Sequence, residues 1–376
     1  MLLTFEFIIF VYVFLSALFW VIKSFISHKL ALRVLIAANI ILLSAVNTTL
    51  FFILLFQIVF LTLIFFVLKS KEFPSTSRLP WFLFFTLIPI HTAPWLDTGG
   101  FLTGLVTSFA GKDIPGIVWN IGSIFFVMKS YVILKESIRA KRLIFTEALA
   151  NLTFVPSFPA GPVHGVEPWK EEVAQNSLSL KTLWQAFLRL GYGLAALYIF
   201  APFVTGLANG IPDGAVFFVP VIMLEFAAIF FDFAGYTQIA ISMALLFGVV
   251  LPENFNRPYL ATSVQQFWQR WHMSLSRFIS TYLFKPFVRK TGSPPKGIFL
   301  AFFAAGFWHE FSLGYILWGA GHGSALSLCM KPPKIWLKFK SWLHPKLYLF
   351  ICWFFTMFWV ALLSHIANRF GHGFAR

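Results

Sequence analysis

From Val34 to Leu68 the chain runs without a single charged side chain. A membrane-crossing helix takes roughly 20 apolar residues, so this stretch suits two short spans hinged at the polar Asn47, Thr48 and Thr49. The remainder follows the same habit. Of 376 residues, 59% are hydrophobic and 11% charged, with a mean hydropathy of +0.79, and that balance excludes an ordinary water-facing globule. The sequence predicts an integral membrane protein. Only helices and closed barrels satisfy their backbone polar groups inside lipid. A barrel strand alternates lipid-facing and lumen-facing residues, whereas LFFILLFQIVFLTLIFFVL is apolar on every face, so the chain is read as all-α.

The net charge of +15 does not point to nucleic acid, because the basic residues fall between hydrophobic segments instead of gathering into one domain. The tendency of cytoplasmic loops to carry Lys and Arg explains them. Lys23 and Lys29, Lys69 to Arg78, Lys135 to Arg142, Arg257 to Lys296 and Lys331 to Lys346 are then cytoplasmic, and the turns at Asn47, Asp97 and Asn209 to Gly214 face outward. Crossings are expected near residues 5–22, 31–46, 50–68, 80–96, 115–134, 182–206, 214–234 and 346–366. The N-terminal run lacks a basic region before its apolar residues, so it reads as a retained span, not a cleaved signal. Cys329 and Cys352 lie in apolar segments, where unpaired buried thiols are the default, and imply neither a disulfide framework nor a metal site.

Three segments depart from plain crossings. Residues 143–165 end in NLTFVPSFPAGPVHG, with Pro156, Pro159 and Pro162 close together. That spacing prevents a regular helix and predicts a re-entrant element lining a chamber. In residues 262–284, TSVQQFWQRWHMSLSRFISTYLF, the apolar side chains Val264, Phe267, Trp268, Trp271, Leu275, Phe278, Ile279 and Tyr282 recur at helical spacing opposite Gln265, Gln269, Arg270, Ser274, Arg277 and Thr281. One amphipathic helix along the cytoplasmic interface is expected there, opened by a Thr262–Gln265 capping box, with His272 at the edge of its apolar face. Between Lys296 and Lys331 the acidic or basic side chains are Glu310, His309 and His322. If both ends are cytoplasmic, the chain goes in and returns, with His309 near the turn.

An acidic or basic group in such a segment is costly unless pairing or function explains it. His28, His344 and His372 sit in or beside basic loops, His91 and His365 are lone histidines in apolar runs, and His164 belongs to the proline-rich segment. His272, His309 and His322 cluster in the half of the chain richest in Trp and Gly. The spacing of His309 and His322, with no nearby Cys, Asp or Glu in the usual ligand pattern, does not suit zinc. A proton relay or transporter gate built on His309 and Glu310 is one reading. General-base catalysis is the other, since imidazole takes a proton near neutral pH. The residues alone leave both open.

The words FFDFAGYTQIAISMALLFGVVLPENFNRPYLATSVQQFWQRWHMSLSRFISTYLFKP and AGFWHEFSLGYILWGAGHG, in that order, resemble the membrane-bound O-acyltransferase family, in its bacterial alginate O-acetyltransferase-like branch. The teichoic acid D-alanyl transferases are more distantly similar, and FPAGPVHG resembles the family's proline-glycine element. The resemblance covers about Glu147 to Ser324. It implies one domain over residues 1–376, with variable N-terminal helices at 1–140, a core at 145–325 and short C-terminal helices at 326–376. It implies a polytopic fold of roughly eight to eleven crossing or re-entrant helices around a tunnel from a cytoplasmic donor entrance to an extracytoplasmic acceptor funnel. The family's invariant histidine, in its GxWH element, corresponds to His309, and its frequent RWH histidine to His272. Trp268, Arg270, Trp308 and Glu310 are the candidate substrate contacts, an arginine suiting a phosphate-bearing donor. Glu310 departs from the glycine that commonly follows the family's histidine.

The expected reaction moves an acyl group, acetyl by preference, from acetyl-CoA or an acyl-carrier-protein thioester to a hydroxyl of a cell-surface polysaccharide or of a partner transferase outside. No tightly bound cofactor is implied. D-alanyl transfer to teichoic acid is the alternative enzyme, and a proton-coupled glycan-precursor transporter the alternative outside enzymes. Expected partners are membrane lipid, an extracytoplasmic acyltransferase and a cytoplasmic acyl carrier, in the bacterial inner membrane.

Overall fold

The computed structural model describes residues 5–46, 59, 116–140, 145–157, 161–170, 178–212, 214–309, 312–330 and 341–370, with some side chains inside these helices undescribed. The crossings expected at 50–68 and 80–96 lie outside the described residues. Every regular element among the described residues is helical. Four stretches are long and apolar enough to cross a membrane: Phe7–Phe25, Leu180–Asn209, Ala215–Leu246 and Pro345–Phe370. They coincide with crossings expected from the sequence, and helices His28–Val46 and Gly116–Ala140 cover two more of those positions. The protein is an all-α polytopic membrane protein.

Helix starts are set locally by serine. Ser27, Ser179, Ser263 and Ser312 each accept a hydrogen bond at Oγ from the backbone N–H three residues on, at 3.2, 3.1, 3.1 and 3.4 Å. This satisfies one of the donors a helix leaves unpaired at its first turn. Two wide π turns, Ala196–Phe200 and Ser280–Phe284, interrupt longer helices. Each ends two residues before a proline, Pro202 or Pro286. A proline in mid-helix lacks the N–H and crowds the preceding turn, and widening that turn is the local response.

The chain forms two compact units. The first comprises Met1–Gly191 and Thr237–Pro252. Its core gathers Tyr12, Phe19, Phe154, Trp169 and Phe247, whose rings meet edge to face, an arrangement worth about 0.5–1.5 kcal/mol per pair beyond simple burial. The described parts of the proline-rich segment, 145–157 and 161–165, are held here by side chains. The helix Phe145–Thr153 ends before Pro156, and Val155–Ser157 forms a single 3-10 turn. Lys129 donates to Ser157 Oγ at 2.7 Å and to its carbonyl at 3.1 Å, Glu136 Oε2 accepts from Val166 N–H at 2.9 Å, and Asn151 Nδ2 donates to the carbonyls of His164 and Gly165 at 3.0 and 2.6 Å. Irregular backbone is thus paired by side chains where helix bonds are missing.

The second unit comprises Tyr192–Tyr236 and Glu253–Arg376. Its centre is an antiparallel hairpin of two helices, Pro294–His309 and Leu313–Met330. At 1.5 Å per residue they are about 24 and 27 Å long, closer to a full hydrocarbon thickness of ~30 Å than to half depth. The prolines at 294 and 295 occupy the first turn, where a missing N–H costs nothing. The hairpin closes tightly because Gly306 and Gly319 face each other. A Cβ on Gly306 would fall 2.3 Å from the Tyr315 carbonyl oxygen, and one on Gly319 2.6 Å from that of Phe302. Pro345–Phe370 packs on the second helix, with Leu363 against Gly321.

The segment 262–284 corrects the sequence reading. The expected single helix is two short ones, Val264–Trp268 and Met273–Ile279. The cap is Ser263 in place of Thr262, and it is Gln266, not Gln265, whose Oε1 accepts from Thr262 N–H and Oγ1, both at 3.1 Å. The break has a non-local cause. Asn254 and Asn256 lie alongside it: Asn256 N–H donates to the Arg270 carbonyl at 2.9 Å, Met273 N–H to the Asn254 carbonyl at 2.9 Å, and Ser274 N–H and Oγ to Asn254 Oδ1 at 3.3 and 2.6 Å. The two faces persist in part across the break: Val264, Phe267, Trp268, Leu275 and Phe278 are buried and Gln265, Gln269, Arg277 and Thr281 exposed, but Arg270 is half-buried and Ser274, expected on the polar face, is buried against Asn254.

Candidate active site

His309 is the last residue of the first hairpin helix, at the turn where the sequence placed it. Its ring lies against the second helix, nearly parallel to Tyr315 with centroids 5.5 Å apart and edge-on to Trp318 at 5.3 Å. Tyr315, Trp318 and His322 are spaced so that one face of Leu313–Met330 presents all three. The close Gly306–Gly319 approach brings that face onto His309.

Trp268 extends this group. Its indole meets Trp318 edge to face at 5.6 Å, Phe302 at 4.8 Å and His322 at 5.1 Å. Its Nε1–H donates to His322 Nδ1 at 3.2 Å. Trp268 is therefore an internal residue, 6% exposed. His322 itself meets Trp318 at 4.9 Å. Sequence reasoning noticed His322 but gave it no role. The signal available was the Tyr315, Trp318, His322 periodicity; its bond to Trp268, far away in sequence, left none.

His272 occupies the break between the two short helices. It has φ of 41°, and with Arg257 at 48° it is one of two non-glycine residues in the left-handed region among the described residues. Arg257 adjoins, and His272 lies within, the stretch where residues 254–256 pair with 270–273. Such conformations cost of order 1–3 kcal/mol and collect at functional sites. The imidazole is buried edge-on to Phe233 at 4.8 Å, and Phe233 also meets Trp271 and Phe255. His309 and His272 belong to the same compact unit.

The structure thus brings His309, His272 and Trp268 into one unit. Arg270 enters through its backbone carbonyl, and its side chain is partly exposed. The Trp308 side chain and Glu310 lie outside what the structure describes. Of the other histidines of described segments, His344 is exposed, whereas His28, expected in solvent beside a basic loop, is buried edge-on to Phe19. His365 Nδ1 pairs with Glu225 Oε2 at 2.7 Å and packs on Phe218, and His164 is held beside Asn151.

Residues 214–363 match the membrane-bound O-acyltransferase family. The matched region contains all six candidate site residues. It begins after FPAGPVHG and runs on through most of the Pro345–Phe370 helix. Within the family the relatives support the alginate-like branch. A peptidoglycan O-acetyltransferase of Helicobacter pylori is 44% identical over 103 residues, 27% of this chain and 20% of that protein. A probable alginate O-acetylase AlgI of Azotobacter vinelandii is 28% identical over 243 residues, 60% of this chain and 48% of the relative. A teichoic acid D-alanyltransferase of Bacillus subtilis is 37% identical over 125 residues, 31% of each protein. The chain spans from a fifth to about half of the length of these relatives.

Proposed function

We propose that this protein is an O-acyltransferase of the bacterial inner membrane. It takes an acetyl group from a cytoplasmic thioester, acetyl-CoA or an acyl carrier protein, and delivers it to a hydroxyl outside. That hydroxyl belongs to a cell-surface polysaccharide or to an extracytoplasmic partner transferase. The observation that carries this reading is His309 at the turn of the Pro294–Met330 hairpin, braced by Tyr315 and Trp318 inside the family-matched region.

The chemistry is a balanced acyl exchange. The hydroxyl oxygen attacks the thioester carbonyl and gives its proton to His309; the C–O ester bond forms, the C–S bond breaks, and the proton passes to the departing thiolate. General-base assistance of this kind contributes about 10²- to 10⁴-fold. His272 orients the donor or supports His309. Arg270 meets phosphate groups of the donor, with Trp268 and Trp308 shaping the passage and Glu310, beside His309 in sequence, tuning the acceptor side.

The 37% identity to a teichoic acid D-alanyltransferase favours a second reading, D-alanyl transfer from a carrier protein. Reconstitution in sealed vesicles separates the two. With acetyl-CoA or acetyl-carrier on the cytoplasmic face, an acetyl ester should form on a hydroxyl acceptor confined to the opposite face. Transfer from D-alanyl-carrier alone would favour the second reading, and transfer from no thioester would exclude both.

A further inference from the structure

The Trp268–His322 hydrogen bond fixes more than position. An indole N–H is a donor and never an acceptor, so His322 Nδ1, facing Trp268 Nε1 at 3.2 Å, must offer a lone pair. The proton of the neutral ring then sits on Nε2. Protonating Nδ1 would set two N–H groups against each other, so the contact holds one tautomer. Trp268 is the one hydrogen-bond partner of this imidazole among the described residues, although the side chain is only 1% exposed. Buried polar groups are ordinarily paired, so the second ring nitrogen of His322 is left with bonding capacity to spare. This one keeps an N–H in hand.

Its place gives that N–H a use. His322 and His309 both contact the Trp318 ring, at 4.9 and 5.3 Å. One indole thus touches both imidazoles. Trp318 is in turn held by Trp268 at 5.6 Å and by the tight Gly306–Gly319 approach of the hairpin. An acyl-transfer centre needs two functions a few ångströms apart: a base for the attacking hydroxyl and a preorganised donor for the carbonyl oxygen that gains charge. His309 supplies the first.

Resting on the acyl-transfer reading of this site, we propose that His322 is a further catalytic residue: locked as the Nε2–H tautomer by Trp268, it donates a hydrogen bond to the carbonyl oxygen of the acyl thioester and to the oxyanion formed from it. Trp268 is then a positioning residue that acts through His322. No proton is transferred at His322. The two histidines divide the work, one accepting and one donating, and neither can exchange roles while Trp268 keeps its N–H on Nδ1.

The test joins a spectroscopic and a kinetic measurement on the full-length protein. In ¹⁵N-histidine-labelled wild type, the resonances lost in His322→Gln should be one bare, hydrogen-bonded Nδ1 and one protonated Nε2. Trp268→Phe keeps an aromatic, though smaller, side chain and removes the N–H, and should convert that pair into a mixture of tautomers. With acetyl-CoA as donor, His322→Phe should lower kcat by about 10²- to 10³-fold, the usual loss of one oxyanion donor, with a smaller change in KM. His322→Gln, whose amide can accept from Trp268 and donate at the Nε2 position, should recover at least about tenfold of that loss. A protonated Nδ1 in the wild-type spectrum overturns the proposal. So does wild-type turnover in His322→Phe, or a Gln variant no better than Phe. Absence of thioester turnover in the wild type would instead remove the acyl-transfer reading itself, so the two failures are distinct.

Discussion

Gly306→Ala tests whether the hairpin spacing sets the site. The added Cβ would lie 2.3 Å from the Tyr315 carbonyl oxygen and 3.1 Å from Gly319 Cα, backbone atoms that cannot rotate away. Restoring ordinary contact near 3.4 Å means separating the helices by about 1 Å, and overpacking of that kind typically costs about 1–3 kcal/mol. The same displacement acts on Tyr315, which stacks on His309, and on Trp318 one turn further. A misplacement of about 1 Å can reduce turnover by about 10²-fold. Gly206→Ala is the control: the glycine lies in the helix Ala201–Asn209 with nothing within 4 Å of a new Cβ, so alanine there should be neutral or stabilising by up to about 1 kcal/mol. Thermal unfolding in detergent and acyl-thioester turnover should be measured for both variants. Equal midpoints and equal turnover would refute the argument that the Gly306–Gly319 contact positions His309.

His272→Asn should keep stability near wild type while lowering turnover, because asparagine tolerates the left-handed backbone. His272→Val should unfold more readily by more than about 1 kcal/mol, and a denaturation series that fails to separate the two would remove the strain at φ 41° from the account. Asn254→Ala strips Ser274 Oγ and N–H of their shared acceptor and should destabilise by about 1–3 kcal/mol, the cost of leaving buried donors unpaired, as read by chemical denaturation. For Glu225 and His365, a double-mutant cycle should give a coupling of about 0.6 kcal/mol, typical of interhelical polar contacts in membranes. Turnover should be unaffected.

What the sequence made legible was whatever depends on local spacing. Crossings were visible because lipid demands long apolar runs, and the hairpin was visible because lysines, Lys296 and Lys331, bound both ends of one apolar stretch. His309 stood out as a basic group where none is expected. The alternation across 264–283 also survived folding in part. Continuity of that helix did not, since its break is made by Asn254 and Asn256, whose pairing with residues 270–274 is a tertiary contact and carries no helical period. The cap shifted by one residue for a smaller reason, Thr262, Ser263 and the two glutamines offering two equivalent registers. The Trp268–His322 bond and the Glu225–His365 pair join residues far apart in sequence, and only the folded chain brings them together.

The central claim is that His309 is the base of an acyl transfer. The most direct measurement is thioester consumption by the purified protein, with acetyl-CoA and acetyl-carrier each supplied as donor, in wild type and in His309→Ala. Turnover in the wild type should be coupled to ester formation and fall by about 10²- to 10⁴-fold in the variant, with the variant still folded and extracted from membranes in the same yield. Unchanged turnover in His309→Ala would contradict it.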